Sequence, residues 1–451
     1  MPQQESVFGV IGGGLSGSLM AIHLLRRLPA AGRVHLIEKR GGFGLGLAYS
    51  TRNPRHLLNV PAARMSLFET EPDHFTTWLA DRFGELGDPA GLFAPRFLYG
   101  TYVQSVLTRQ MAGEDGCRNL FLFPDEAVAV ALKGRGVAVS MACGRSIDMD
   151  CAILSVGNFL PEPPAGLEEL ALSPRFLPDP WDDARLRAIG EDSRIVIVGS
   201  GLTMVDLVLG LIGQGHRGPL IALSRRGLLP RRHAASGPPD PWSGSAAPLS
   251  AALHRIRARS GGGDWRAVID GMRPVLQDLW RGLTVEEQRR FLRHARPWWD
   301  VHRHRMAPDI AAAVDDLLVR GRLRVLAGQI LSADISGDGV ALSVRPRGGD
   351  GRITLEADHV INCSGPASDY SRTRNPLLRH LIESGLARPD PLGLGLDVDA
   401  GLHLLDAGGR PHDRLFALGP VTKGRFWETT AVPEIRRQAL FLAERLVAGD
   451  D

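Results

Sequence analysis

Gly12, Gly14 and Gly17 stand between the apolar run Val7–Ile11 and a segment with apolar residues at Leu15, Leu19, Ile22 and Leu25. A glycine-rich turn joining a strand to a helix suits one kind of chemistry. Its backbone can approach a pyrophosphate closely, and the helix N-terminus adds unpaired N–H groups and partial positive charge. Gly12 permits the tight turn, Gly14 the close approach, and Gly17 close packing of helix on strand. Glu38 ends the next apolar stretch, Val34–Ile37, where a carboxylate can accept hydrogen bonds from a ribose. The unit therefore predicts a site for an adenosine dinucleotide, with FAD and NAD both open.

The turn recurs at Gly199 and Gly201, after Ile195–Val198, but Met204 takes the third glycine's place. Helix and strand must pack differently there. The following strand, Leu220–Leu223, ends in Ser224, Arg225 and Arg226 instead of an acid. Arginine forks bind phosphate oxygens bidentately, so this terminus suits the 2′-phosphate of NADPH. An NADH preference stays open on the residues alone.

Elements able to position these turns follow the same programme in both halves of the chain. Each half continues with short alternating segments, 119–149 and 323–356, expected as an antiparallel β-meander. Each then has an apolar strand reaching a glycine, Cys151–Gly157 and His359–Gly365. The fold expected is α/β with two Rossmann-like dinucleotide-binding domains, the second inserted into the first. Residues 1–182 and 365–451 form the first domain and 183–364 the second. A Trp- and Arg-rich helical insertion, about 245–320, follows a Pro/Ser/Gly/Ala-rich stretch. A strand at Leu415–Leu418 and a helix from Pro433 complete the first domain.

A balance of 53 basic and 50 acidic side chains leaves a formal charge of +3, too little for a general field recruiting nucleic acid or an anionic membrane. No apolar run reaches the ~18 residues of a membrane helix, and the N-terminus does not read as a secretory signal. The chain is expected to be cytoplasmic. Cys117, Cys143, Cys151 and Cys363 form no CxxC and are expected to be reduced, buried thiols. The run 286–305, with its Trp and Arg residues, reads better as packed helix through Trp298 and Trp299 than as a nucleic-acid surface. Its histidines, His294, His302 and His304, have no evident Cys or carboxylate pair to complete a metal site, so no metal is expected.

The chain resembles a bacterial family of FAD/NAD(P)-binding proteins that includes amino-acid N-hydroxylating monooxygenases, notably an aspartate N-hydroxylase. The likeness spans nearly the whole length. It rests on GLGLAYSTRNPRHLLNVPAARMSLF (44–68), PDHFTTWL (72–79), PRFLYGTY (95–102), GSGLTMVD (199–206), SRRGLLPRRH (224–233), WDVHRHRMAP (299–308) and LFALGPVTKGRFWETTAVPEIRRQA (415–439). The resemblance implies FAD at the first turn, held by Gly12, Gly14, Leu15, Ser16, Gly17, Glu38 and Lys39. A loop with Gly46, Leu47 and Ala48, and the segment around Asn59 and Val60, would lie along the flavin. Gly157, Gly419, Pro420 and Thr430 would complete its site. NADPH would be held by Gly199, Gly201, Leu202, Thr203, Ser224, Arg225, Arg226, Ser364 and Gly365. Gly419-Pro420 replaces the Gly-Asp of many two-site flavoproteins, so the ribityl contact must come from backbone or elsewhere.

The family's chemistry would have NADPH reduce FAD, O2 add at flavin C4a, and the hydroperoxide pass oxygen to a substrate nitrogen. No side-chain catalytic set is required, and none is assigned. An amino-acid-like substrate needs fixed cations for its carboxylate, and Arg64, Arg303, Arg305 and Arg436 are the candidates. Two further readings fit the same residues: an NADPH oxidoreductase serving a carrier protein or quinone, and a non-catalytic flavin-binding sensor. The oligomeric state is not legible.

Overall fold

The computed structural model describes residues 6–84, 87–89, 91–112, 119–337 and 339–448. Strands β1 (Val7–Ile11), β2 (Arg33–Ile37) and β3 (Leu120–Phe123) begin the first unit. The meander β4 (Ala127–Lys133), β5 (Gly136–Met141), β6 (Ser146–Met149) and strand β7 (Cys151–Leu154) follow. The middle of the chain supplies β8 (Phe176–Leu177), β9 (Ile195–Val198), β10 (Leu220–Ser224), β11 (Leu323–Ser336), β12 (Gly339–Pro346), β13 (Ile353–Ala357) and β14 (His359–Asn362). The tail adds β15 (His403–Leu405) and β16 (Pro411–Ala417).

The first sheet runs β15-β16-β7-β1-β2-β3 and the second β13-β12-β11-β10-β9-β14-β8. Their central strands pair in parallel, β1 with β2 and β7, β9 with β10 and β14. Helices Leu15–Leu25 and Leu202–Gly213 follow the two turns. Sheets covered on both faces carry continuous apolar strands, and β7, IVIV of β9 and VIN of β14 are buried throughout. The tail closes the first sheet, because β16 pairs in parallel with β7.

The meanders differ from the expected spans. Residues Leu120–Phe123 form no meander strand; they extend the parallel sheet beside β2. Only β4, β5 and β6 make the three-stranded antiparallel sheet. In the second unit one long strand does both jobs. Residues 323–327 of β11 pair in parallel with β10, and from Gly328 onward β11 pairs antiparallel with β12. Strand β8 joins the second sheet beside β14.

Seven short α- and 3-10-helical segments and a π-helical turn, Phe291–Ala295, fill the stretch 249–319. They enclose a core of Trp242, Trp280 and Trp299 that includes Leu394 and Trp427 from the tail, so the helical insertion packs on the first unit's C-terminal segment. Trp298 does not share in this packing and is 47% exposed, because neighbouring residues on a helix face directions about 100° apart. Cys151 and Cys363 are buried, and burial pushes the Cys151 thiol up to about 12. Cys143 is instead exposed, in the turn between β5 and β6, and Cys117 lies outside the described residues. No described helix is long and apolar enough to cross a membrane.

Candidate functional site

At the first turn Gly12 has φ +102°, and a Cβ there would lie 2.4 Å from the Ser155 carbonyl oxygen. A Cβ on Gly17 would lie 1.8 Å from the Gly12 carbonyl oxygen, so the helix seats on the turn only through hydrogen. The loop carrying Gly46, Leu47 and Ala48 folds directly over this turn. The Gly44 N–H donates to the Gly13 carbonyl at 2.8 Å, and the Gln104 amide holds the Phe43 carbonyl at 2.9 Å. Gly14 and Gly46 face each other, a Cβ on either meeting the other's Cα at 3.2 Å. The Glu38 carboxylate accepts from the Gly13 N–H at 2.8 Å and the Arg40 N–H at 3.0 Å. A carboxylate has about four acceptor positions, so capacity for ribose hydroxyls remains. Lys39 points elsewhere, to Glu126 at 3.2 Å.

The tail meets the same helix. Gly419, at φ +79°, would bring a Cβ to 2.6 Å from the buried Ser16 hydroxyl. Its N–H donates to the Gln438 side-chain oxygen at 2.9 Å, and Gln438 in turn donates to Thr422 at 3.2 Å. Gln438 thus fixes the Gly419-Pro420 turn, a role invisible in sequence because its partner lies 19 residues away through tertiary contact. Leu15 is buried, Val60 half-buried and Thr430 exposed. Gly157, three residues past the end of β7, has nothing within 4 Å of its Cβ position. The Asn59 carbonyl accepts from His233 Nε2 at 3.0 Å, linking the segment near the first turn to the second unit.

At the second turn a Cβ on Gly199 would meet the Cys363 carbonyl oxygen at 2.2 Å, while Gly201 and Gly365 face open space. Leu202 and Thr203 open the helix, and Ser364 caps β14 through its N–H to Asn362 at 3.2 Å. Met204 is fully buried in the second core. The Ser200 hydroxyl donates to Ser224 at 2.8 Å, and Ser224 accepts the Gly227 N–H at 3.0 Å, tying the turn to the end of β10. Arg225 is exposed at that end, whereas Arg226 turns to the His294 carbonyl in the helical insertion at 3.5 Å.

The four candidate substrate arginines are not equivalent. Arg305 forks onto Asp270 at 3.0 and 3.1 Å, with its Nε on the His302 carbonyl, so its donors are engaged. Arg436 donates to the Ser66 carbonyl at 2.8 Å. Arg64 is exposed, near enough to His233 and Arg273 to depress the charged form of each, behind the larger effect of their burial. Arg303 is 7% exposed and stands 3.5 Å from Glu428 and 3.9 Å from Glu434, while its Nε and Nη2 have no hydrogen-bond acceptor.

Around Arg303 lies a charge cluster that sequence reasoning missed. Glu428, only 3% exposed and with φ +69°, accepts from Trp299 Nε1 at 2.9 Å and approaches His304 at 3.5 Å. Burial alone would raise its carboxyl, but His304, Arg303 and the Trp299 bond hold it well below the usual carboxylate range. Arg273, lowered to about 10 chiefly by burial, sits 3.8 Å from Glu434. Asp300, His304 and Glu428 offer ligand atoms within 4.8 Å of one another, a carboxylate pair the sequence did not reveal. Arg296 at 3.3 Å from Asp300, Arg303 at 3.5 Å from Glu428 and the half-buried Lys423 already surround these carboxylates with positive charge. His302 bonds its own helix, at the Trp298 carbonyl.

Residues 9–159 match the FAD-NAD(P)-binding family model. No curated protein matches the chain in sequence. Solved structures share its fold over nearly the full length. An ornithine N-hydroxylase from Kutzneria is 15% identical with a TM-score of 0.67, the alignment covering 98% of each chain. An L-lysine 6-monooxygenase from Pseudomonas syringae is 18% identical with a TM-score of 0.67, again covering 98% of each chain. A cadaverine monooxygenase from Erwinia amylovora, solved with FAD, is 13% identical with a TM-score of 0.68, covering 98% of this chain and 94% of that one.

Proposed function

We propose that the chain, whose residues 9–159 match an FAD-NAD(P)-binding family model, is an FAD- and NADPH-dependent monooxygenase that uses O2 to hydroxylate a nitrogen of a small amino-acid-like or acidic amine. FAD would be held by the unit 1–182 with 365–451, and NADPH by 183–364. The observation that carries this reading is the contrast between the two turns. The first strand pair ends in Glu38, suited to ribose hydroxyls, and the second in Ser224, Arg225 and Arg226, suited to an additional phosphate. The full-length fold shared with amine and amino-acid hydroxylases adds support.

Both cradles fit a dinucleotide: a Cβ on Gly12, Gly17 or Gly199 would strike backbone, while Gly157 in the first and Gly201 and Gly365 in the second face open space. When bound, the flavin supplies the redox and oxygen-transfer chemistry. The chain's own residues bind, orient and exclude water. Arg303, with unpartnered buried donors, and Arg64, exposed nearby, are the better placed to fix a substrate carboxylate. Arg273 joins them as a third fork. Arg305 and Arg436 serve the framework.

The test supplies purified protein with NADPH, isotopically labelled dioxygen and a panel of amino acids and amines, followed by mass spectrometry. The expected product is one substrate carrying a single labelled oxygen, formed in proportion to NADPH consumed. NADPH consumption that yields only hydrogen peroxide across the panel, or reduces a quinone with no oxygen inserted, overturns it.

A further inference from the structure

Three of the segments singled out in the sequence converge on a buried ionic contact between the two units. His56 comes from the stretch 44–68, Arg96 from PRFLYGTY, and Asp206 from GSGLTMVD. The Arg96 guanidinium stands 2.9 Å from the Asp206 carboxylate, with side chains 14% and 7% exposed. The contact lies off the donor directions, so Asp206 Oδ2 gains charge neutralisation rather than a directed hydrogen bond. His56 Nε2 donates to the Asp206 backbone carbonyl at 3.0 Å, and its Nδ1 accepts from the Thr51 hydroxyl at 2.7 Å.

Both partners in the first unit are themselves fixed. Arg96 Nε donates to the Leu57 carbonyl at 3.0 Å, and the Arg96 N–H donates to the His56 carbonyl at 2.8 Å. On the other side, Asp206 lies a turn inside helix Leu202–Gly213, whose N-terminus is the second cradle. The same helix face has Gly210 and Gly213, over which Asn53, His56 and Arg55 lie in van der Waals contact distance of a Cβ. His56 stands three residues before Asn59, which reaches His233 of the second unit. The segment flanking the first cradle is therefore bolted to the helix that forms the second.

We propose that Arg96, Asp206 and His56 are positioning residues that set the distance between the two dinucleotides and so the rate at which NADPH reduces FAD. The inference rests on the proposed placement of FAD and NADPH in the two units. It does not require that oxygen be transferred. An isolated buried charge is strongly unfavourable, so a carboxylate retained here with one guanidinium and one imidazole holds the two units in one registration. Hydride transfer from NADPH to FAD would be sensitive to that registration, because a misplacement of about 1 Å can lower a rate by about a hundredfold.

The experiment is anaerobic stopped-flow reduction of the flavin-loaded protein by NADPH, set beside reoxidation by O2 after reduction with dithionite. Asp206→Asn keeps the shape and removes the charge, and Arg96→Lys keeps the charge. Asp206→Asn is expected to slow flavin bleaching by about tenfold to a hundredfold. Reoxidation and flavin content stay at wild-type values, the small-angle scattering radius increases, and Arg96→Lys retains most of the bleaching rate. Unchanged bleaching in Asp206→Asn overturns the proposal. So does a parallel fall in bleaching, reoxidation and flavin content, which marks a merely structural contact. Wild-type protein that bleaches normally but inserts no oxygen defeats the monooxygenase reading alone, and wild-type protein that NADPH fails to bleach defeats both.

Discussion

Replacing Glu428 by Gln separates charge from shape in the buried cluster. Gln keeps an oxygen to accept the Trp299 N–H but removes the negative charge that faces Arg303 at 3.5 Å. At that distance, with an effective dielectric constant near 20, the Coulomb attraction is about 5 kcal/mol. Desolvation offsets much of it while the pair is intact. Removing one partner leaves the other buried and uncompensated, at about 3–5 kcal/mol. Arg303 would then keep only the 3.9 Å contact with Glu434, itself shared with Arg273. We expect Glu428→Gln to destabilise the protein by about 3 kcal/mol and Arg303→Met by a similar amount, since each strands a charge. The double variant strands neither, so the two losses should fail to add by about 2 kcal/mol. Urea unfolding followed by tryptophan fluorescence measures this, because Trp280 and Trp427 stack 4.7 Å apart beside the cluster. Additive losses, agreeing within about 0.5 kcal/mol, would show that the two residues do not sense each other's charge.

Two further outcomes are expected. Arg225→Ala should weaken NADPH about tenfold or more by loss of a charge-assisted phosphate contact, leaving NADH unaffected; steady-state KM values for both cofactors check it, and equal effects refute the phosphate role. His23, buried and held down to about 4 mainly by burial and then by Arg27, takes a proton in the unfolded chain near 6.5 but resists it when folded. Its contribution to stability is complete above pH 6.5 and is lost as pH falls toward 4, about 3 kcal/mol in all. The drop in Tm between pH 7 and 4.5 should therefore shrink in His23→Leu, and an unchanged drop would refute the assignment.

Much of the fold was legible because it is written in local pattern. Apolar strands, glycine turns and apolar-periodic helices announced both βαβ units, and a strand was expected at Leu415–Leu418 in the tail, where β16 runs beside β7. The errors have local physical causes. Leu120–Phe123 reads LFLF, a short apolar run with no alternation to assign it, and pairing with β2 places it in the parallel sheet. Trp298 and Trp299 look equivalent in sequence, yet helical geometry sends one to solvent. Glu428, Glu434 and Arg273 gave no signal at all, because each acquires its role from partners brought by other segments. The same is true of Asp206, read as the end of a motif although its carboxylate faces Arg96 from another unit.

Met204 shows how a departure from pattern becomes interpretable once packing is known. Gly17 is obligatory at the first turn because a Cβ would sit 1.8 Å from the Gly12 carbonyl oxygen. The second helix carries a full side chain at the corresponding place and buries it in the core. Helix Leu202–Gly213 therefore seats through a packed side chain where the first helix seats only through hydrogen. Contacts beyond its own strand also fix its orientation. The Arg96–Asp206 contact does so from the neighbouring unit, and Ser200 bonded to Ser224 does so from within. The charge across the interface adds to the packing of Met204, Val205, Leu207 and Val208 in the second core, so removing it should disturb the second cradle more than the first.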